Sequence, residues 1–504
     1  MTGVGYSDLL AALAPETALV LAAVAVLFVD MGLMRSAPLR QRFLTACAVA
    51  GLGCLVTLGI LASSGAHLRF LDGVLVVDSL TQWVKVFLVV LTLFTAGISA
   101  QAEFTEHVGE YFALVLLATV GMMFLVSTEE ILMIFVSLEL TSLSLYVLAA
   151  LDKRTRHASE AALKYFLFGS VAAAFTLFGL SLVYGLSGAT NLTGIAAGLR
   201  AHRSDPLLAV AVVMVIMGFG FKVAVVPFHL WAPDAYEGAP VPAAALIASG
   251  SKVASFFVLA KIAVLGFAGV EGSGAWGQLR AGWLPVLAVL AVGSMVLGNL
   301  TAIAQGHLRR LLAYSAIAHA GYVLLGLMAM GYPSQRSAAL AAVLYYVATY
   351  GLTTVGAFGV ASVIERVLGN GRIDALAGLS RRSPLLALCL MVFLLSLAGI
   401  PPLAGFFGKF GLFTAAMGAD PAGLGLLWLV GIAIAMSTVS LYYYLRVLKQ
   451  AYVVAGDEEA SRIVVPWTDR LVLIAAAVGV FLLGALPELL LGPLARAIAG
   501  GNGF

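Results

Sequence analysis

Seven of the ionisable residues inside long apolar stretches of this sequence could do chemistry: Glu139, Lys164, Lys222, His229, Lys252, His319 and Lys409. With Lys85 and Lys261, six basic residues occupy such stretches; all six are lysine and none is arginine. An ionisable side chain at mid-membrane costs about 2.5–3.5 kcal/mol on insertion scales. Arginine keeps its proton inside a protein, whereas the lysine pKa falls readily on burial. Buried lysines without arginines therefore suit a device that loads and unloads protons. Glu139, Lys222, Lys252, His319 and Lys409 fall at similar depths of five separate runs, so they can form a polar line across the protein, parallel to the membrane. His229 follows Lys222 by seven residues, roughly on the same helical face.

Prolines mark where this line meets interrupted helices. Pro227 follows Lys222 by five residues, and Pro401-Pro402 precede Lys409. Proline in a span frees backbone groups, which is tolerated only inside protein or beside a wet cavity. Paired interrupted spans in two halves point to a transport site. The lysine–proline order is reversed between the two places. The fourth to eighth and ninth to thirteenth apolar runs make five each, and an odd number inverts the second unit relative to the first. The expectation is an inverted repeat with broken seventh and twelfth helices.

Each group also has a plainer role open to it. Lys85, seven residues after Asp78, can be an ordinary buried ion pair or a snorkelling residue, and Lys261 can snorkel. Glu160 and Lys164 form an i,i+4 pair in the helix-stabilising order. Glu139 can simply neutralise Lys164 or Lys222. His229 and His319 can each do no more than hydrogen-bond a carbonyl.

The elements that must hold these groups are apolar helices. The chain has 504 residues, 62% hydrophobic and 11% charged, with mean hydropathy +1.05. A soluble domain is roughly 45–50% apolar and about 25% charged. Apolar runs fall near 17–34, 43–63, 78–100, 109–128, 130–151, 160–187, 206–229, 240–268, 283–304, 311–331, 337–366, 384–418, 422–452 and 470–495. Each is long enough for the ~20 residues that a spanning helix needs. The sequence thus predicts an all-α polytopic membrane protein with about fourteen spans. It divides into helices 1–3 (1–104), a first repeat (105–268), a second repeat (269–453) and a C-terminal helix (454–504). A soluble enzyme, a nucleic-acid binder, a disordered chain and a membrane β-barrel are excluded.

With the N-terminus outside, the inner loops hold sixteen Lys and Arg and the outer loops six. The positive-inside rule then puts both termini on the outer side. Residues 1–34 carry no Lys or Arg, so the first run reads as an uncleaved span rather than a signal peptide. Cys47, Cys54 and Cys389 form no CxxC and read as small core residues. Gly272–Gly277 matches GxGxxG, but no strand precedes it. With no HExxH, Walker A or haem motif, the chain has no visible means of oxidising a nicotinamide cofactor or of holding a metal.

The segment from Gly218 to Pro240, with Lys222, Pro227, His229, Trp231, Asp234 and Glu237, resembles the signature of antiporter-like proton-channel subunits. These occur in respiratory complex I and in multi-subunit cation/proton antiporters. Arg309–Tyr322, with His319, is similar to the family's tenth-span motif. Among the three such subunits of complex I, the largest carries a long C-terminal amphipathic helix, while this sequence ends at Phe504, soon after its last run. The middle one usually has glutamate where Lys409 stands in Gly405-Phe-Phe-Gly-Lys409-Phe. The chain most resembles the N-type subunits, in their fourteen-span bacterial form.

This resemblance implies roles for the residues. Glu139 would be the buried carboxylate of a first half-channel and Lys222 its broken-helix partner, with Lys164 modulating the pair. Lys252 would bridge to the second half past His319, and Lys409 would end the line. FMN, iron–sulfur clusters, NADH and quinone would be bound by other subunits. Partners would be a neighbouring antiporter-like subunit, small membrane subunits and lipid of a bacterial inner membrane, and no nucleic acid. Two other readings stay open: a subunit of a multi-subunit sodium/proton antiporter, and a passive membrane scaffold.

Overall fold

The computed structural model describes residues 6–64, 68–203, 205–419, 424–456 and 462–500. Among these, thirteen helices are long and apolar enough to cross a membrane. The first helices are α1 (Ala14–Phe28), α2 (Leu39–Ser63), α3 (Ser79–Ser99), α4 (Val108–Val126) and α5 (Ile131–Ala150). Then come α6 (Arg156–Ser187), α7 (Pro206–Val223), the short α8 (Trp231–Gly238), and α9 (Val241–Ala248) with α10 (Gly250–Lys261). They are followed by α11 (Trp283–Ile303), α12 (Leu308–Met330) and α13 (Arg336–Leu368). The chain continues through α14 (Pro384–Ala398), α15 (Ala404–Met417), α16 (Leu427–Tyr452), α17 (Trp467–Ala485) and α18 (Glu488–Gly500).

Local chemistry sets the ends. Asp78 caps α3 by accepting from Thr81 N at 2.7 Å, while Thr81 Oγ1 accepts from Asp78 N at 2.9 Å. Asp205 caps α7, whose first residue is Pro206. Two expected breaks are present: α7 stops before Pro227, and the run 384–418 divides into α14 and α15 around Pro401-Pro402.

The structure departs from the sequence expectation in three places. The run 240–268 is not one straight helix: it bends at Ser249 (φ −116°, ψ −82°), two residues before Ser251. The run 470–495 is two helices, because Leu486 before Pro487 is driven out of the helical region (φ −130°, ψ 67°). An antiparallel hairpin, Leu68–Phe70 with Leu75–Val77, precedes α3. Its turn passes through left-handed Leu71 and Asp72, a conformation that composition alone gives no hint of.

Helices in lipid gain nothing from apolar contact as such, so they associate through close backbone approach at small residues. A Cβ on Gly298 of α11 would lie 2.7 Å from Ala318 N of α12, and one on Gly321 would lie 2.8 Å from Ala291 O. The α11–α12 pair is accordingly closely packed along its length. It brings α12 inward, and Ser315 through Met330 are all buried. Every residue of α10 is buried as well. The centre of the bundle is therefore α10, α12 and α13, while α6, α16 and α17 face outward.

Candidate functional site: a line of buried lysines and hydroxyls

At the first break α7 ends with Ala224 in the left-handed region (φ 60°), and Lys222 is in its last turn. Carbonyls and amides freed there find side chains. Trp231 Nε1 donates to Phe221 O at 3.1 Å, and Val226 N donates to Ser294 Oγ at 2.9 Å. Lys222 Nζ donates to Ser142 Oγ of α5, which in turn donates to Leu138 O at 2.5 Å. The ammonium also lies 5.4 Å from the Phe221 ring and 5.8 Å from the Tyr146 ring, within cation–π range. A void of ≈ 10 Å³ beside Lys222 is lined by Thr141, Ser142, Ser251 and Ser255. That is about the space of one water, and the two α10 serines flank Lys252.

Lys252 sits three residues beyond the Ser249 bend. Its Nζ donates to Ala316 O of α12 at 2.9 Å and lies 5.8 Å from the Tyr350 ring. His319, one turn further along α12, is bracketed by phenols. Its Nδ1 bonds Tyr346 Oη, its Nε2 is 3.2 Å from Tyr444 Oη, and Tyr444 Oη is 2.5 Å from Ser315 Oγ. The Tyr350 and Tyr322 rings lie 5.2 and 5.6 Å from the imidazole. Beyond them Lys409 Nζ is 5.1 Å from the Tyr322 ring and donates to Ser437 Oγ at 2.8 Å and Ala398 O at 3.1 Å. Ala398 is the last residue of α14, so Lys409 reaches back across the second break.

Four expectations change. Glu139 and Lys222 are not an ion pair: Lys222 instead bonds Ser142, one turn after Glu139 on α5. Glu139 is half-buried on a face of α5 whose neighbours Leu132, Val136, Leu143 and Val147 are exposed. Its Oε1 has no hydrogen-bond partner among the described residues. Lys164 does not reach Glu139. It pairs with Glu160 at 2.7 Å and Asp234 at 2.8 Å, with 40% of its side chain exposed, because α6 turns that face outward. His229 does not share a helical face with Lys222, because the helix has ended; it is buried at the break with Nδ1 unpartnered among the described residues. Lys85 pairs with Glu16 of α1 at 2.7 Å, and not with Asp78, whose carboxylate is spent on the α3 cap. Lys261 donates to Val126 O at 2.9 Å.

Where α8 meets α12, Arg310 bonds Asp234 at 2.8 Å and Glu237 at 2.9 Å. Arg309 bonds Glu365 at 2.7 Å, Ala239 O at 2.7 Å and Tyr236 O at 3.2 Å. Burial pushes the Asp234 carboxyl up, but the hydrogen bonds from Lys164 and Arg310 outweigh it and hold the group below its ordinary value.

Residues 128–437 match the family model of NADH:quinone oxidoreductase/Mrp antiporter transmembrane proteins. NADH-quinone oxidoreductase subunit N 2 of Acidobacterium capsulatum is 52% identical over 97% of this chain and 99% of its own length. The chain belongs to the NADH-quinone oxidoreductase subunit N family. An F(420)H(2) dehydrogenase subunit N from Methanosarcina mazei is 36% identical over 94% of this chain and 96% of that one. A chain of Thermus thermophilus respiratory complex I with bound aureothin is 36% identical. It covers 95% of this chain and 99% of its own, with TM-score 0.76. A chain of the Mrp complex from Dietzia shares the fold, with TM-score 0.78 at 23% identity over 96% of this chain and 97% of that one.

For a member of this family, the hydroxyls are what the charged residues alone did not reveal. Ser142, Ser437, Tyr322, Tyr346, Tyr350 and Tyr444 fill the intervals between the lysines. The signal was present in part: Tyr346 and Tyr350 are i,i+4 and share one helical face, within a span that needs no polar group to form.

Proposed function

We propose that this chain is a proton-translocating membrane subunit of an NADH–quinone oxidoreductase, and that protons move along Glu139, Lys222, Lys252, His319 and Lys409. The observation that carries this reading is how the three axial lysines are held. Among the described residues, none of Lys222, Lys252 and Lys409 has a carboxylate within ion-pair distance; each donates to a neutral oxygen. A lysine so held can give up its charge without stranding an anion. The serine and tyrosine hydroxyls between them donate and accept alike, as a relay requires. A lysine that only braced the fold would be paired, as Lys85 is with Glu16.

NADH, FMN, iron–sulfur clusters and quinone belong, on this reading, to partner subunits. The relative that serves an F(420)H(2) dehydrogenase supports a membrane arm indifferent to its electron donor. Residues 105–268 and 269–453 form inverted repeats, a reading supported by the two broken helices and by lysines that precede one break and follow the other. The protein lies in a bacterial inner membrane with its basic loops inside. A cysteine replacing Ser7 should react with an impermeant thiol reagent from outside, and one replacing Ser159 should not; the reverse pattern overturns the orientation.

The central test is Lys252→Ala in the purified complex, reconstituted into vesicles. NADH-driven proton uptake should fall tenfold or more, while NADH–ferricyanide activity of the peripheral subunits persists. Unchanged uptake would return the lysines to a passive role.

A further inference from the structure

A cavity of ≈ 900 Å³ opens at the end of the bundle that carries the basic loops, lined by Asp152, Glu160, Asp234, Glu237, His307 and Glu365 among others. His307 Nδ1 is buried there without a hydrogen-bond partner among the described residues. Burial, reinforced by Arg309, holds its imidazole below the ordinary value. The arginines that line the cavity are tied to carboxylates. The cavity is thus a hydrated, mixed-charge vestibule able to exchange protons with bulk water.

Ser362 of α13 lines this vestibule. One helical turn at a time, the same face of α13 carries Phe358, Thr354, Tyr350 and Tyr346 toward the membrane centre. The distance from Ser362 to Tyr350 is about 18 Å along the helix. Phe358 interrupts the polar stripe, and there the neighbouring α8 supplies Tyr236, whose ring packs on Phe358 with centroids 5.8 Å apart. The hydroxyls of Tyr236 and Thr354 are both buried and have no hydrogen-bond partner among the described residues. A buried hydroxyl left unpaired is destabilising, and two at one constriction are unusual in helices that pack without them.

We propose that Tyr236 and Thr354 are the constriction of a proton inlet that runs from the vestibule past Ser362 to Tyr350, and there joins the line at Lys252 and His319. No bond other than O–H and N–H is made or broken: each hydroxyl accepts one proton and passes on another. This inference rests on the proton-translocation reading above.

The test uses the whole complex in vesicles, with Tyr236→Phe, Thr354→Val and Thr354→Ser, and with Lys252→Ala as reference. Tyr236→Phe and Thr354→Val should each lower NADH-driven proton uptake about threefold or more. Each should also raise the D₂O solvent isotope effect on quinone turnover, because proton delivery becomes limiting; a packing defect would not do that. Thr354→Ser should retain near-native uptake and isotope effect. If Thr354→Val fails to assemble, Tyr236→Phe and Thr354→Ser decide the matter. Native uptake in Tyr236→Phe and Thr354→Val, with uptake lost in Lys252→Ala, overturns the inlet and leaves the translocation reading intact. Native uptake in Lys252→Ala as well overturns both.

Discussion

The two broken helices solve one problem in different ways. At the first, Lys222 ends a helix and reaches sideways to a serine on α5, with a carboxylate one helical turn beyond that serine. At the second, Lys409 begins in the later segment and reaches back to the carbonyl that ends the earlier one, plus a serine on α16. Both ammoniums therefore sit at a helix C-terminus, the negative end of the backbone dipole, which favours a cation. What differs is the tuning charge: Glu139 stands near Lys222, and no acid pairs with Lys409 among the described residues. The lesson is that backbone geometry sets where each lysine sits, and an acid one turn from the bonded serine is an addition to only one of the two.

If so, Lys409 should be the more sensitive site. Lys409→Ala and Lys409→Arg are both expected to lower proton uptake tenfold or more with the complex assembled, since arginine keeps the charge but does not release the proton. Full uptake in the arginine variant would make Lys409 a fixed charge and the two breaks different in kind. Glu16→Gln should show what a purely bracing charge does. Leaving Lys85 buried and unpaired costs about 3–5 kcal/mol, so the thermal midpoint of the complex drops while uptake per assembled complex is unchanged. Glu139→Gln is expected to lower uptake several-fold and Glu139→Asp less, with Ser142→Ala near twofold because it removes the hydroxyl that accepts from Lys222. Native uptake in Glu139→Gln would make Lys222 work unaided, as Lys409 does. The smallest effect should be that of Lys164→Ala: a half-exposed ion pair is worth about 0.2–1 kcal/mol, and uptake should change less than twofold.

Helix number and the two main breaks were legible because hydropathy and proline act locally. A 20-residue apolar run has one outcome in lipid, and Pro227 and Pro401-Pro402 remove donors wherever the helix sits. The Ser249 bend was not legible, since neither serine nor its neighbours breaks a helix by themselves. Which way a side chain points across the bundle was also hidden. Lys164 and Glu139 sit in apolar runs just as Lys222 does, but α6 and the outer face of α5 turn away from the centre, and rotation about a helix axis is set by tertiary packing. Lys85 found Glu16, far upstream in the sequence, for the same reason. The tyrosines escaped notice because a phenol at a buried position is as ordinary as a phenylalanine until its partner is known.

The grip of Arg309 and Arg310 on α8 bears on where this molecule can be divided. The sequence parses into two units that meet near residue 268, yet α8 of the first unit is fastened to α12 of the second by four hydrogen bonds, one of them to its own Tyr236 carbonyl and one to that of Ala239 just beyond it. A fragment ending at that seam would leave Asp234 and Glu237 without their guanidinium and α8 without its anchor. The two stretches are thus keyed to each other at the helix that follows the first break, and neither is built to fold without the other.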